Sequence, residues 1–501
     1  MQNISFFGQY FKVTFWIIVI FEILSFLGHN FNIVNSIIFG LLVLTTLVIT
    51  IWKVEFGFWI VAVELFIGSL GYLFFIDFDE FRISIRLGLF LAVMLGWLIN
   101  TIRTKKFEFY KSYYWKPLLL LSVFLLLGLI FGLRNGNDLK DIFFDFNAYL
   151  YFGLIFVAFS VIKSKERVNN LIQILVASIS ALFLKTIFIL FYFSHVFNEN
   201  LISMVYRWIR DTRVGEISPI VSNFYRVFFQ GHIWALFLFV IFLLIIILLN
   251  KDQIGKRNYI FSWIIMIISS LMIIISFSRS FWLALSINII LIFWYLIKKE
   301  KIKIKQVIKI LVISLLVLII ELGFITGLVN IKLPNFGNDS SVSIASLIRD
   351  RISDTDEAAF ASRYELLKPL TYKYLENPFI GSGFGTTVTY ETKDPRSKGN
   401  YTTYAFEWGY LDILTKIGLF GFLAYLFFIY KIFKQGINLL KISSNRNEYV
   451  LILGLLFSLC ILLLVHMTTP YLNHPLGIFL LIIISSIFYS KTTQQSVKLE
   501  A

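Results

Sequence analysis

The sequence predicts an all-α polytopic membrane protein, and three observations support this fold class. Of the 501 residues, 58% are hydrophobic and only 15% are charged, whereas soluble globular chains carry about 25% charged residues. The apolar residues form runs of about 20, the length at which a helix crosses a bilayer. These runs lack the alternation over about ten residues that is typical of an outer-membrane β-barrel. A disulfide scaffold is also excluded, because Cys460 is the only cysteine.

The apolar runs predict about fourteen transmembrane helices. They lie at roughly residues 13–28, 33–51, 55–76, 83–101, 117–133, 146–162, 169–193, 231–249, 259–278, 280–297, 306–328, 408–430, 449–467 and 475–490. The first run is expected to be a span rather than a cleavable signal peptide, because no basic segment precedes it.

The spacing of the runs divides the chain into four predicted parts. Helices one to eleven occupy residues 1–328, with an arginine-rich outer loop at about 194–230. One large extracytoplasmic loop follows at 329–407, and a loop of this length is expected to carry helical structure of its own. Helices twelve to fourteen occupy residues 408–490, and a cytoplasmic tail covers 491–501.

Basic residues are concentrated in every second connection between the predicted spans. These connections follow the fourth, sixth, eighth, tenth and twelfth runs. Because cytoplasmic loops are enriched in lysine and arginine, both termini are expected in the cytoplasm and the two long loops outside. Topology then accounts for most of the net charge of +15, and no nucleic-acid partner is expected.

The first long outer loop contains arginine but no lysine. Arg207, Arg210 and Arg213 follow one another at three-residue spacing, and Arg226 lies further on. If Leu201–Thr212 is a helix, the first three arginines lie along one side of it. Guanidinium groups bind phosphate oxygens through paired hydrogen bonds. The loop therefore predicts a site for a lipid-linked diphosphate, and pairing with nearby acidic residues is the alternative.

Several charged residues lie within or beside the apolar runs. Arg279 is in the tight connection Ser276–Ser280, where a charge at membrane depth is costly and usually functional. A side chain that reaches out to the lipid headgroups is the alternative. Other charges interrupt the runs themselves and fit either pairing between helices or a transport pathway. These are Glu22, Glu64, Lys185 and Glu321.

The large loop at 329–407 contains two amphipathic patterns. Apolar residues at three- and four-residue spacing predict helices at Ser341–Arg351 and Glu357–Leu375. Asn377-Pro378 predicts the end of the second helix, and the glycines at 381, 383 and 385 predict a turn. The glycines do not predict a nucleotide site, because they follow a helix rather than a strand.

Three stretches together resemble the O-antigen polymerase and O-antigen ligase superfamily, the Wzy-type polymerases and their ligase relatives. They are Ser-Arg-Ser-Phe-Trp at 278–282, the loop Ser-Arg…Asn-Pro…Gly-Ser-Gly-Phe-Gly at 362–385, and Gly-Leu-Phe-Gly at 418–421. The resemblance covers roughly residues 222–425. It implies a GT-C-like glycosyltransferase in the bacterial cytoplasmic membrane. The implied donor is an undecaprenyl-diphosphate-linked glycan, used on the outer face without a metal or other cofactor.

The resemblance also implies roles for individual arginines. Arg279 matches the superfamily arginine at the start of the tenth span, and Arg226 matches one that precedes the eighth. Both are implied to hold the diphosphate leaving group, which gives Arg279 a catalytic role. Arg363 matches an arginine of the large loop and, with Tyr410, is assigned to substrate binding.

The general base is the point at which the chain departs from its ligase relatives. They carry a His-Asn pair where this chain has Glu407-Trp408. The resemblance therefore implies Glu407 as the catalytic base and favours a polymerase. Pairing of Glu407 with a loop lysine is the alternative reading. His466 and His474, which flank the last outer turn, are the alternative bases.

The predicted function is polymerisation of lipid-linked repeat units into O-antigen, capsule or exopolysaccharide, with inversion at the anomeric carbon. Transfer of a finished glycan to a lipid or protein acceptor is one alternative. A flippase for lipid-linked oligosaccharide is the other, although such transporters are normally built from two similar halves. Besides the lipid-linked donor and acceptor and membrane lipid, the expected partners are a chain-length regulator and a flippase.

Overall fold

The computed structural model describes residues 5–78, 81–107, 109–195, 199–221, 224–332, 343–353, 358–392 and 399–500. Nineteen α-helices are found in these residues. They are α1 (Gln9–His29), α2 (Asn32–Trp52), α3 (Val54–Ile67), α4 (Ile85–Thr104), α5 (Trp115–Arg134), α6 (Leu139–Leu150), α7 (Leu154–Val161), α8 (Lys165–His195), α9 (Glu199–Asp211), α10 (Ile233–Leu248), α11 (Lys251–Ile254), α12 (Lys256–Ile275), α13 (Arg279–Lys298), α14 (Ile304–Asn330), α15 (Ile344–Ser353), α16 (Ala358–Glu376), α17 (Gly409–Ile442), α18 (Arg446–His466) and α19 (Pro475–Glu500).

The described residues also contain three single-turn 3-10 helices and six short strands. The strands form three separate antiparallel hairpins, β1 (Phe75–Phe78) with β2 (Phe81–Ser84), β3 (Gly215–Val221) with β4 (Phe224–Phe229), and β5 (Val388–Thr392) with β6 (Gly399–Thr403). The all-α membrane fold is confirmed, because thirteen helices in the described residues are long and apolar enough to cross a membrane.

The third predicted span is the exception. The apolar run at 55–76 is helical only as far as Ile67, so α3 has fourteen residues. The chain then passes through Gly68 and Gly71 and continues into the hairpin β1–β2. Of the two glycines, Gly71 has a positive φ, of +86°. An apolar run that is interrupted by glycine and rich in aromatic residues suits a buried strand as well as a helix. The predicted count of about fourteen spans therefore falls to thirteen within the described residues.

The chain divides into two compact units. The first comprises residues 1–106, 164–351 and 445–458. Within it, α1 packs against α8, α2 against α4, and α10 against α12. Three of the four charges that interrupt its apolar runs are in ion pairs, as the first of the two readings predicts, whereas Glu321 accepts a hydrogen bond from the Ser270 hydroxyl. Glu64 lies 2.8 Å from the Arg86 guanidinium, and Lys185 lies 2.7 Å from Glu22.

The second unit comprises residues 107–163, 352–444 and 459–501. Within it, α17 packs against α5, α16 and α19, and α16 packs against β5. The two helices predicted in the large loop are present as α15, which lies almost wholly in the first unit, and α16, which lies in the second. Their predicted first residues, Ser341 and Glu357, lie outside the described part of the chain.

Candidate active site

A short turn in the first unit joins α12 to α13 and carries Arg279. Ser276, Phe277 and Ser278 form the turn, and Arg279 is the first residue of α13. Phe277 is fully buried and has a φ of 46°, a backbone conformation that costs a residue with a side chain about 1–3 kcal/mol. Its ring packs against Phe224, with 5.0 Å between ring centroids. Packing of the ring therefore holds the turn in a strained conformation.

Arg226 of β4 lies against the same turn. Its Nε donates a hydrogen bond to the carbonyl oxygen of Ser276 at 2.9 Å, and its guanidinium lies 3.5 Å from Glu216 on the paired strand β3. Arg279 begins α13 three residues after Ser276, and its Nε donates to the carbonyl oxygen of Arg351 at 2.9 Å. The fold therefore brings the two arginines expected to hold the diphosphate to one turn.

The other three arginines of this loop are not all on one helix. Arg207 and Arg210 lie on the exposed side of α9, and Trp208 is buried on its opposite side. Because α9 ends at Asp211, Arg213 falls beyond the helix, with a φ of 49°. Its guanidinium lies over the ring of Tyr72, 5.4 Å from the centroid. The expected line of three arginines is thus reduced to two.

Glu407 and Arg363 form an ion pair in the second unit. The Nε of Arg363, on α16, donates to the Glu407 carboxylate, and the side chain of Glu407 is 51% exposed. Trp408 also binds Arg363, because its Nε1 donates a hydrogen bond to the Arg363 backbone carbonyl oxygen at 2.8 Å. The partner of Glu407 is therefore an arginine and not the loop lysine of the alternative reading. Arg363, expected to bind substrate, is engaged by the expected base.

The alternative base His466 is inaccessible in this structure. It is fully buried, and its Nδ1 accepts a hydrogen bond from the backbone N–H of Leu472 at 3.1 Å. Tyr410 packs edge-on against its ring at 4.8 Å and donates to the Leu463 carbonyl oxygen at 2.8 Å. Both side chains therefore fix the start of α17 against α18. Burial favours Glu407 over His466 as the group that meets an acceptor.

His474 takes part in the start of α19. Its Nδ1 accepts a hydrogen bond from the backbone N–H of Leu476 at 3.3 Å, and its ring lies 5.9 Å from that of Tyr471. Tyr471 belongs to the turn between α18 and α19, and Leu476 is the second residue of α19. These contacts give His474 a structural role at the start of α19. Glu407 therefore remains the better-placed candidate base.

Helix α17 is broken at Gly418, and the glycine loop 377–385 fills the break. Gly418 has φ 67° and ψ −178°, a combination that essentially only glycine adopts. On one side, Ser382 and Gly383 donate backbone hydrogen bonds to the carbonyl oxygens of Thr415 and Lys416, at 2.7 and 3.1 Å. On the other, the N–H groups of Leu419 and Phe420 donate to the carbonyl oxygens of Pro378 and Phe379, at 2.8 and 3.1 Å. The loop thus replaces the hydrogen bonds that the broken helix loses.

The same loop is closed on its far side by the end of α5. The backbone N–H of Phe384 donates to the Gly128 carbonyl oxygen at 3.1 Å. Asn137 donates from its side chain to the carbonyl oxygen of Phe384 at 2.8 Å. A Cβ on Gly132 would lie 2.4 Å from that oxygen, so only glycine allows this approach. The glycines of the motif therefore serve backbone packing between α5 and α17.

A buried charge cluster beside the break was not found by sequence reasoning. The Lys416 ammonium bonds to Asp145 of α6 and lies 2.6 Å from Asp412, one turn earlier on α17. All three side chains are less than a tenth exposed. The four-residue spacing of Asp412 and Lys416 within an apolar run is a signal that could have indicated this pair. In the described part of the chain, no three His, Cys, Asp or Glu side chains are grouped as metal ligands would be.

Comparison with known proteins gives one family match. Residues 264–426 match the family described as O-antigen ligase. The match covers about a third of the chain, and over this segment the protein is similar to that family. The matched segment includes Arg279, Arg363, Glu407 and the break at Gly418. No match was found among curated proteins. With thirteen candidate spans in the described residues, the protein is a polytopic membrane protein, and its matched segment is similar to a family of membrane enzymes that transfer glycosyl groups.

Proposed function

We propose that the protein polymerises polyprenyl-diphosphate-linked oligosaccharide repeat units into a surface polysaccharide on the outer face of the cytoplasmic membrane. The observation that carries this proposal is the placement of Arg226 and Arg279 at a single turn. Two guanidinium groups on one turn suit the two phosphates of a diphosphate, because each group offers paired donors to phosphate oxygens.

The arginines act on the leaving group. As the bond between the anomeric carbon and the diphosphate oxygen breaks, negative charge grows on that oxygen. Donors fixed in advance towards this charge lower the barrier, and one well-placed donor contributes about 3–4 kcal/mol. The hydrogen bonds of Arg226 to Ser276 and of Arg279 to Arg351 hold both side chains before the donor arrives.

Glu407 acts on the acceptor. A sugar hydroxyl of the incoming repeat unit attacks the anomeric carbon and gives its proton to the Glu407 carboxylate. A new glycosidic bond forms with inversion, and the polyprenyl diphosphate leaves. A general base of this kind raises the reaction rate about 10²–10⁴-fold. Arg363 orients the carboxylate, and the half-exposed position of Glu407 leaves it open to an acceptor.

The choice between polymerase and ligase depends on the base. Ligase relatives carry a histidine at the position of Glu407, and the nearest histidine to this segment, His466, is fully buried. A carboxylate base in its place favours the polymerase. A flippase has less support, because its two expected features, similar halves and short loops, are absent from the sequence.

The decisive experiment supplies purified protein with a synthetic lipid-diphosphate repeat unit and separates the products on a gel. We expect a ladder from the wild type and none from Arg279→Ala or Glu407→Gln. The matched control is Arg257→Ala, because Arg257 is an exposed arginine at the opposite end of α12 from the turn. Twenty residues of helix separate the two ends by about 30 Å.

Each other outcome identifies either a different base or a different function. A ladder that survives in Glu407→Gln shows that another group is the base. A single product on an added lipid or protein acceptor, in place of a ladder, identifies a ligase. No glycosyl transfer, together with lipid-linked glycan that crosses a liposome membrane, identifies a flippase.

A further inference from the structure

We propose that Lys416 is a positioning residue of this enzyme: with Asp145 it forms a buried latch that holds loop 377–385 in the break of α17 and so places the Glu407–Arg363 pair. This inference rests on the proposed function, since it concerns the placement of the proposed base. All the residues of the latch and its contacts lie within the second unit.

The two residues of the latch each accept a hydrogen bond from the loop. The backbone carbonyl oxygen of Lys416 accepts a hydrogen bond from Gly383 at 3.1 Å. The Lys416 side chain bonds to one carboxylate oxygen of Asp145, and the other oxygen accepts a hydrogen bond from the backbone N–H of Gly385 at 2.9 Å. The ion pair therefore joins α17 to α6, and each of these helices holds one of two successive glycines of the loop.

The cluster is closed by two further contacts. Asp412 lies 2.6 Å from the Lys416 ammonium and also accepts a hydrogen bond from the side chain of Asn473. A single ammonium thus serves two buried carboxylates from different helices. Removing one partner of a buried ion pair is strongly destabilising where no water replaces it. Loss of the Lys416 ammonium would therefore leave two buried carboxylates without their partner charge.

The latch reaches the proposed base through Phe406. The Lys416 ammonium lies over the Phe406 ring, 5.1 Å from its centroid, and Phe406 is 1% exposed. Phe406 belongs to a small core with Leu366, Leu370, Val388 and Tyr390. Glu407 follows Phe406 directly, and Arg363 lies one turn before Leu366 on α16. The same core therefore supports both members of the ion pair.

Loss of the ammonium changes the placement of Glu407 and leaves the diphosphate-binding arginines untouched. We therefore expect Lys416→Met to lower kcat by about 100-fold, the effect of a displacement of about 1 Å in a catalytic group. KM for the lipid-linked donor stays unchanged. A merely structural role would lower the yield and the thermal midpoint of the protein but leave kcat per folded molecule as in the wild type.

The experiment compares Lys416→Met with a matched variant of the first unit. Lys185→Met also removes an ammonium from a largely buried ion pair, the one with Glu22, far along the chain from the latch. For both variants kcat and KM are measured per folded molecule, recovered by size-exclusion chromatography. Hydrogen exchange of peptides over 377–387 is followed in parallel, because it reports on the loop without any need for activity.

The expected result is a loss of kcat and faster loop exchange in Lys416→Met, and neither change in Lys185→Met. Unchanged kcat in Lys416→Met overturns the proposal, as does an equal loss in both variants. If Lys416→Met does not fold, Asp145→Asn is judged by the same criteria, since its amide still accepts from Gly385. A wild type that makes no ladder overturns the proposed function. Loop exchange then still decides the latch, which is overturned if exchange does not rise.

Discussion

Substitution of Gly418 by alanine tests whether the glycine loop depends on the break in α17. At φ 67° and ψ −178°, the backbone lies in a region that is essentially restricted to glycine. A Cβ added there would lie 2.4 Å from the carbonyl carbon and oxygen of Phe379 and from the nitrogen of Ile380. These are backbone atoms of the inserted loop, so they cannot turn aside as a flexible side chain would.

The magnitude follows from two contributions. The strained backbone costs about 1–3 kcal/mol for a residue that carries a side chain. Displacement of the loop removes up to four hydrogen bonds across the break, each worth about 0.5–1.5 kcal/mol. Gly418→Ala should therefore destabilise the second unit by about 1–3 kcal/mol if all four bonds survive and by about 3–9 kcal/mol if all four are lost.

Substitutions at two other glycines distinguish the cost of backbone strain from the cost of steric contact. Gly136 has a φ of +72°, but no heavy atom of the described residues lies within 4 Å of an added Cβ. Gly136→Ala should therefore cost only the backbone strain, about 1–2 kcal/mol. Gly323 lies within helix α14 and is equally open, so Gly323→Ala should be neutral or stabilising by up to about 1 kcal/mol.

The assay is thermal unfolding of the three variants and the wild type in the same detergent, together with limited proteolysis of the loop. We expect Gly418→Ala to unfold first, then Gly136→Ala, then the wild type and Gly323→Ala. Equal midpoints for Gly418→Ala and Gly136→Ala would refute the reasoning, because strain alone would then explain both.

Three further predictions concern the first unit. Arg279→Ala should lower kcat by about 10²–10³-fold, and Arg279→Lys should recover only part of it, since an ammonium cannot replace a paired donor; full recovery would mean that charge alone suffices. Glu64→Gln should destabilise the unit by about 3–5 kcal/mol, because it leaves the buried Arg86 without its partner charge. The double variant Glu64→Gln with Arg86→Met should be close to neutral. Equal thermal midpoints for the single and the double variant would contradict this. Phe277→Ala should cost about 3–5 kcal/mol and also lower activity, because the ring holds the turn that carries Arg279; a loss of stability with full activity would separate the two roles.

Hydropathy was sufficient to predict most of the fold, because the cost of placing a polar residue in a bilayer is large for each residue taken alone. The third run shows where it fails. Hydropathy measures how apolar a segment is and not which backbone conformation it adopts, and Gly68 and Gly71 end α3 before it reaches the length of a span. Arg226 and Arg279 were predicted as a pair, but the hairpin that lays Arg226 on the turn depends on a strand register that the sequence leaves open.

The glycine motif was predicted as a turn, and its function in the fold could not be predicted further. Gly381, Gly383 and Gly385 all have positive φ, which turn chemistry anticipates. Their counterpart Gly418 lies in a segment that hydropathy marks as one continuous helix. Nothing in the local pattern around either segment indicates that one is inserted into the other.

The break and the charge cluster are two parts of one physical problem. A helix that is interrupted within a membrane leaves backbone groups that no water can satisfy, so another segment of protein must supply their partners. Loop 377–385 supplies them, and its own position is then secured by a lysine whose partner Asp145 lies 271 residues away in the chain. Hydropathy assigns a cost to each charged residue separately, so it counts Asp145, Asp412 and Lys416 as three unfavourable residues in or beside apolar segments. Their energy becomes favourable only as a set, which explains why the least predictable residues of this unit are also those on which the position of Glu407 depends.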